Sequence, residues 1–226
     1  FNIEKTMNID LSKIKNPSPM AIKQDIEYID NSIDKIQLSA VQQNGLVIQY
    51  INNPSEKVQL AAVQQNGYAI YYIDNPNEDI KLAAVQQNGH AIAHIDNPSE
   101  NIKLAAVKQD VNVIIYLENP SEAVQLAAVQ ENGYAIKYVN NPSEAVQLAA
   151  IQQNGHAIKY IDNSSVTVQL AAVQQNGRAI NNIKNPSEAV QLAAVRQDIE
   201  AMSFINYPDD EVTRLVKAMK KKSPQI

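Results

Sequence analysis

A chain of 226 residues that is 45% hydrophobic but only 5% aromatic, with no Trp, must build its core from Ala, Val, Leu and Ile, which suits closely packed helices. Its 24 acids against 19 bases give a net charge of −5, which argues against a general binder of the phosphate backbone, so nucleic acid is not the expected partner. There is no Cys, hence no disulfide, thiolate metal site or Cys nucleophile, and no apolar run nears the roughly 18 residues of a membrane span. No signal-peptide pattern appears either, so no membrane association and a cytoplasmic location are expected.

In residues 1–15, Ile3, Met7, Leu11 and Ile14 stand at helical spacing, and 16–30 read as a shortened repeat; residues 1–30 are expected to cap one end. From 31 to 206 a 22-residue unit then recurs eight times without insertion, beginning at Asn31, Asn53, Asn75, Asn97, Asn119, Asn141, Asn163 and Asn185. Positions within a unit are numbered here as slots 1 to 22.

Slot 1 is always Asn and slot 2 is Pro in six units, which predicts a helix capped by Asn with Pro in its first turn, running over slots 2–13. An acid at slot 4 in every unit but the seventh would reach back to that cap. The six glycines of the chain all stand at slot 15, after Asn, and a left-handed Gly is expected to end the helix. Slots 16–21 predict a second, shorter helical segment with apolar slots 17, 18 and 21. Slot 8 is always Leu, slot 10 always Ala, and slots 6 and 11 always Val or Ile. No single unit can enclose such a face, so units must stack into an all-α solenoid of two-helix repeats.

Units four and eight replace Asn-Gly by Asp110-Val111 and Asp198-Ile199. Branched residues resist the left-handed region, so altered turns and a change of curvature after unit four are expected. Residues 207–226 predict a closing helix opened by Pro208-Asp209-Asp210-Glu211, with Val212, Leu215, Val216 and Met219 on one face and a basic tail.

Function is sought where the units differ. Three slots of the short segment vary on an otherwise near-identical frame, and they supply the candidate partner-binding residues. Slot 16 gives Tyr68, His90, Tyr134, His156 and Arg178; slot 19 gives Tyr71, Lys137 and Lys159; slot 20 gives Tyr50, Tyr72, His94, Tyr138 and Tyr160. Tyr is an amphipathic anchor in binding surfaces, although such rings can also simply cover a seam between layers. Slot 4, with Asp74, Asp96, Glu118 and Asp162 at slot 22, would form an acidic edge. His90 and His94 stand four apart, a spacing that could face one metal, but both occupy slots that hold Tyr elsewhere and are read as ring replacements. No phosphate-cradling loop and no Ser-His-acid set appears, so neither an enzyme, a metal nor a cofactor is expected.

Through Leu60-Ala61-Ala62-Val63, Gln65-Asn66-Gly67 and Ile70-Tyr71-Tyr72-Ile73, and their counterparts across 31–206, the chain resembles a family of short helical repeats of unknown function found in bacterial, bacteriophage and giant-virus proteins. Units four and eight depart from that pattern at the Gly, and unit seven lacks the Pro, the slot 4 acid and the slot 20 Tyr. The resemblance implies a helical repeat fold and a phage or mobile-element setting. The expected function is that of a non-enzymatic scaffold recognising a protein through its variable face and acidic edge, for instance as an inhibitor that occludes a bacterial defence protein. The alternatives are sequestration of a nucleotide-like ligand between layers, by Tyr stacking with Lys137, Lys159 or Arg178, and DNA mimicry by the acidic edge.

Overall fold

A computed structural model describes residues 33–222, so the expected cap at 1–30 lies outside the described residues. The architecture is an all-α solenoid of eight two-helix layers. Each unit contributes one α-helix, such as Glu56–Gln65, Glu122–Glu131 or Glu188–Gln197, and one six-residue 3₁₀ helix, such as Gly67–Tyr72, Gly133–Tyr138 or Ile199–Phe204. Helices of adjacent units pack side by side along the whole stack, as do the 3₁₀ segments. A closing helix, Asp210–Lys222, covers the last unit with Val212 and Val216 buried.

The long helix spans slots 4–13, two residues shorter than the sequence suggests, because slot 3 caps it. Ser55, Ser99, Ser121, Ser143 and Ser165 each accept the N–H of the residue three positions on, and Asn77 does the same for Ile80. The slot 1 Asn is left-handed instead: from Asn53 to Asn185 it has φ of 47–55° in seven consecutive units. Asn tolerates that region better than other non-Gly residues, and Pro next to it disfavours the right-handed alternative. Slot 4 acids do not reach back. Glu100 and Glu144 accept the hydroxyls of Ser121 and Ser165, the caps of the following units, and so link one layer to the next.

The glycines are likewise not left-handed, since none has positive φ. Asn at slot 14 is extended, its side chain accepts the slot 16 N–H, and Gly opens the 3₁₀ helix. What the slot demands is space. A Cβ on Gly67 would lie 2.6 Å from the carbonyl oxygen of Ala84 in the next unit, and one on Gly45 would lie 2.3 Å from that of Ala62. The Gly N–H donates to the slot 13 Gln of the next unit, as Gly67 does to Gln87 Oε1 at 2.6 Å. The expected change of turn in unit four does not occur. Asp110 has φ −148° and ψ 112°, matching −151° and 111° at Asn88.

The core is built from slots 6, 10, 11, 17 and 18, for which Ile80, Ala84, Val85, Ala91 and Ile92 are typical, with the slot 21 residue closing it. Each Ile buried in this way contributes about 1.5–3 kcal/mol. Slot 8 Leu is only half-buried and packs on the rim of this core, as Leu60, Leu82 and Leu104 do. Ala at slot 10, fully buried in every described unit from the second on, lets adjacent helices approach closely.

Candidate functional site

The surface in question is the outer side of the 3₁₀ segments. Slots 17 and 18 of each segment point into the core, which sends slots 16, 19 and 20 outward. In unit two Ala69 and Ile70 are 0% and 2% exposed, whereas Tyr71 is 66% exposed. All the candidate residues share this side. Tyr50, Tyr68, Tyr72, His94, Lys137, Tyr138, Lys159, Tyr160 and Arg178 are exposed, and His90, Tyr134 and His156 are half-buried.

Side chains on this face meet across layers in two groups. In units two to four, Tyr71 lies edge-on to Tyr72 and to His94 at 5.0 and 5.2 Å, and Tyr68 lies edge-on to His94 at 5.9 Å. His90 meets Tyr116 at 5.7 Å. In units five and six, Tyr134 is edge-on to Tyr160 at 5.8 Å, and Lys159 Nζ lies 5.1 and 4.6 Å from the centroids of those two rings. Lys137 Nζ lies 4.4 Å from the Tyr138 centroid. Tyr50 is 79% exposed and belongs to neither group.

Sequence reasoning missed a rung that joins slot 16 to slot 14 of the next unit. His90 Nε2 lies 2.9 Å from Asp110 Oδ2, Arg178 Nε donates to Asp198 Oδ2 at 2.8 Å, and His156 Nε2 meets the Asn176 amide at 2.9 Å. Both Asp residues stand where other units carry Asn, each following a unit with His or Arg at slot 16, a pairing visible in the sequence once the layer spacing is known. The Asn112 backbone N–H, with His90, holds the Asp110 carboxyl below its ordinary value, and Arg178 does the same for Asp198. Ile115 and Tyr116, 51% and 46% exposed, extend the face beyond the predicted residues.

His90 and His94 turn to different partners, and among the described residues no group of three His, Cys, Asp or Glu is placed to hold a metal. The recess lined by Tyr134, Lys137 and Tyr138 is small, about 30 Å³. Larger clefts of about 680 and 1010 Å³ lie at the turns between units; Tyr138 and Ile115 line the first, and none of Lys137, Lys159 and Arg178 lines either. Among the described residues no helix is long and apolar enough to cross a membrane. In comparisons with known proteins, the chain matches no family model, no curated protein and no solved structure.

Proposed function

We propose that this chain is a non-enzymatic binding scaffold that recognises a protein partner along its 3₁₀ face, with the acidic edge adjoining it. The observation that carries this reading is an exposed aromatic series on a frame whose buried slots scarcely change. Tyr71, Tyr72, Tyr116, Tyr138 and Tyr160, in units two, four, five and six, keep from 39% to 66% of their surface in contact with solvent, and His94 is exposed at the same slot in unit three. Rigid rings with a polar tip lose little conformational freedom on binding and are enriched among the residues that dominate interfaces. A nucleotide-like ligand fits less well, since the recess that Tyr134 shares with Lys137 is small and the larger cleft beside Tyr138 is lined by none of Lys137, Lys159 and Arg178. DNA mimicry is weakened because Glu100 and Glu144 are engaged by serines of neighbouring layers. The resemblance to bacteriophage repeat proteins makes occlusion of a bacterial defence protein the natural role.

The test is affinity capture from a bacterial host extract with the wild-type chain and with a variant carrying Tyr72→Ala, His90→Ala, Tyr134→Ala and Tyr138→Ala. The expected result is loss of a specific captured protein with the circular dichroism spectrum unchanged. Capture that persists in the fourfold variant would move the interface to another face.

A further inference from the structure

The charges of this protein are segregated. In a chain of net charge −5, slots 16, 19 and 20 carry a single acid across all eight units, Glu200 in the last, against Lys137, Lys159 and Arg178. Arg178 is neutralised by Asp198 at 2.8 Å. Neither Lys137 nor Lys159 forms an ion pair with a carboxylate among the described residues. Each ammonium is held over aromatic rings, and Lys159 sits between the rings of two successive layers, Tyr134 and Tyr160. In units two to four slot 19 holds Tyr71, Ala93 and Ile115, so the cationic pair is confined to units five and six.

We infer that units five and six form a recognition site for an extended acidic segment of a protein, two of whose carboxylates sit on Lys137 and Lys159. The inference rests on the reading of the 3₁₀ face as the partner surface and names the chemistry of that partner. Charge complementarity selects an anion, and the surrounding tyrosines select one carried on a chain that can also pack against rings. Lys137 and Lys159 occupy the same slot one layer apart, which for packed helices is roughly 8–10 Å. A polyproline II segment repeats its side-chain direction every three residues, a rise of about 9 Å, so acids at positions i and i+3 match the layer spacing. Aromatic-lined surfaces are also a recurrent docking site for such segments. A nucleic acid strand would continue past these two layers and meet the uncharged half of the face on one side and the neutralised Arg178 on the other.

The experiment uses the full chain and a fluorescein-labelled proline-rich dodecapeptide with Glu at every third position, read by fluorescence anisotropy. Controls are the same peptide with Gln for Glu, a peptide with Glu at every second position, and a single-stranded DNA oligonucleotide of equal charge. Binding of the first peptide is expected to exceed that of its Gln counterpart by about tenfold and to weaken with salt. Lys137→Gln and Lys159→Gln should each weaken it by about two- to fivefold. No binding, equal binding of the Gln peptide or the every-second-Glu peptide, insensitivity to both Lys substitutions, or tighter binding of the oligonucleotide would overturn the inference. The two levels of proposal separate in the capture assay. If Lys137→Gln/Lys159→Gln retains the host protein that the fourfold aromatic variant loses, the acidic segment is wrong and the face is right. If both variants retain it, the face is wrong.

Discussion

The junction between units three and four and the junction between units four and five share one backbone course but differ at the two positions that bond layer to layer elsewhere. At the first, Gly89 N–H donates to Gln109 Oε1 at 2.6 Å, and a Cβ at residue 89 would lie 2.7 Å from that oxygen and 2.8 Å from the Ala106 carbonyl. At the second, the same positions hold Val111 and Glu131, and no such bond joins them. The 3₁₀ helix of unit four packs more loosely on the helix that follows than its counterpart in unit three does. Gly and Gln are therefore one device spread over two layers. The Gly removes the atom that would hold the layers apart, and the Gln satisfies the N–H that close approach would otherwise bury unpaired.

The sharpest way to break this comparison is to move the valine. Gly67→Val places a Cβ 2.6 Å from the Ala84 carbonyl oxygen, a backbone atom that cannot step aside. The expected cost is about 3 kcal/mol of unfolding free energy in a urea titration, the upper range for overpacking. A cost as small as that of an ordinary surface replacement would show that layers tolerate a wider spacing and that the glycines serve something else.

The next effect comes from the other half of the device. Gln87→Ala leaves the Gly67 N–H without its acceptor and should cost about 1–3 kcal/mol. The neighbouring Gln86→Ala, at an exposed slot whose side chain makes no hydrogen bond among the described residues, should change stability by less than about 0.5 kcal/mol. Equal effects at the two positions would reduce the Gln series to a solvated face.

A smaller effect is expected when the missing rung is rebuilt. Val111→Gly and Glu131→Gln, measured singly and together, form a double-mutant cycle. The singles include lost Val packing and a changed charge, but the coupling isolates the new bond and should be about 1 kcal/mol in favour of the pair. Zero coupling would mean that the looseness of this junction has another origin.

Much of this is legible in the sequence. The strict 22-residue period, the constancy of slots 6, 10 and 11 and the apolar slots 17, 18 and 21 gave the layered helical fold, because a buried surface repeated in register leaves a period in the chain. The outward direction of slots 16, 19 and 20 followed by elimination, which is why the tyrosines lie where expected. Two local features misled. Asn-Gly after a helix reads as a left-handed stop, yet the constraint on the Gly comes from a carbonyl in the next unit, and nothing within one unit records it. Asn-Pro-Ser-Glu offers two possible caps two residues apart, and Ser wins because its hydroxyl both caps its own helix and donates to the preceding unit's carboxylate, as Ser121 does to Glu100. Ring contacts such as Tyr134 with Tyr160 depend on how far one layer is displaced against the next, which no spacing within a unit encodes.

The smallest expected effect concerns charge at the same junctions. Asp110 replaces the Asn found at slot 14 in units one to three and five to seven, and its carboxyl is held below its ordinary 3.8 by the Asn112 N–H and by His90. A carboxyl whose value is depressed in the folded state stabilises the fold above its unfolded value, and that contribution is lost as pH falls through the folded value. Asp110 and Asp198 should thus support the stack near neutrality and lose that support progressively as pH falls below the ordinary carboxyl value of 3.8. Asp110→Asn is the clean comparison, because an Asn here accepts the slot 16 N–H as its counterparts do at 2.9–3.1 Å, so mainly the charge changes. The difference in urea midpoint between wild type and Asp110→Asn should be present at about pH 6 and shrink as pH falls below about 4. A difference that persists unchanged at low pH would assign the role of Asp110 to hydrogen-bond geometry, and the pairing of Asp with His90 across the layers would then be without electrostatic consequence.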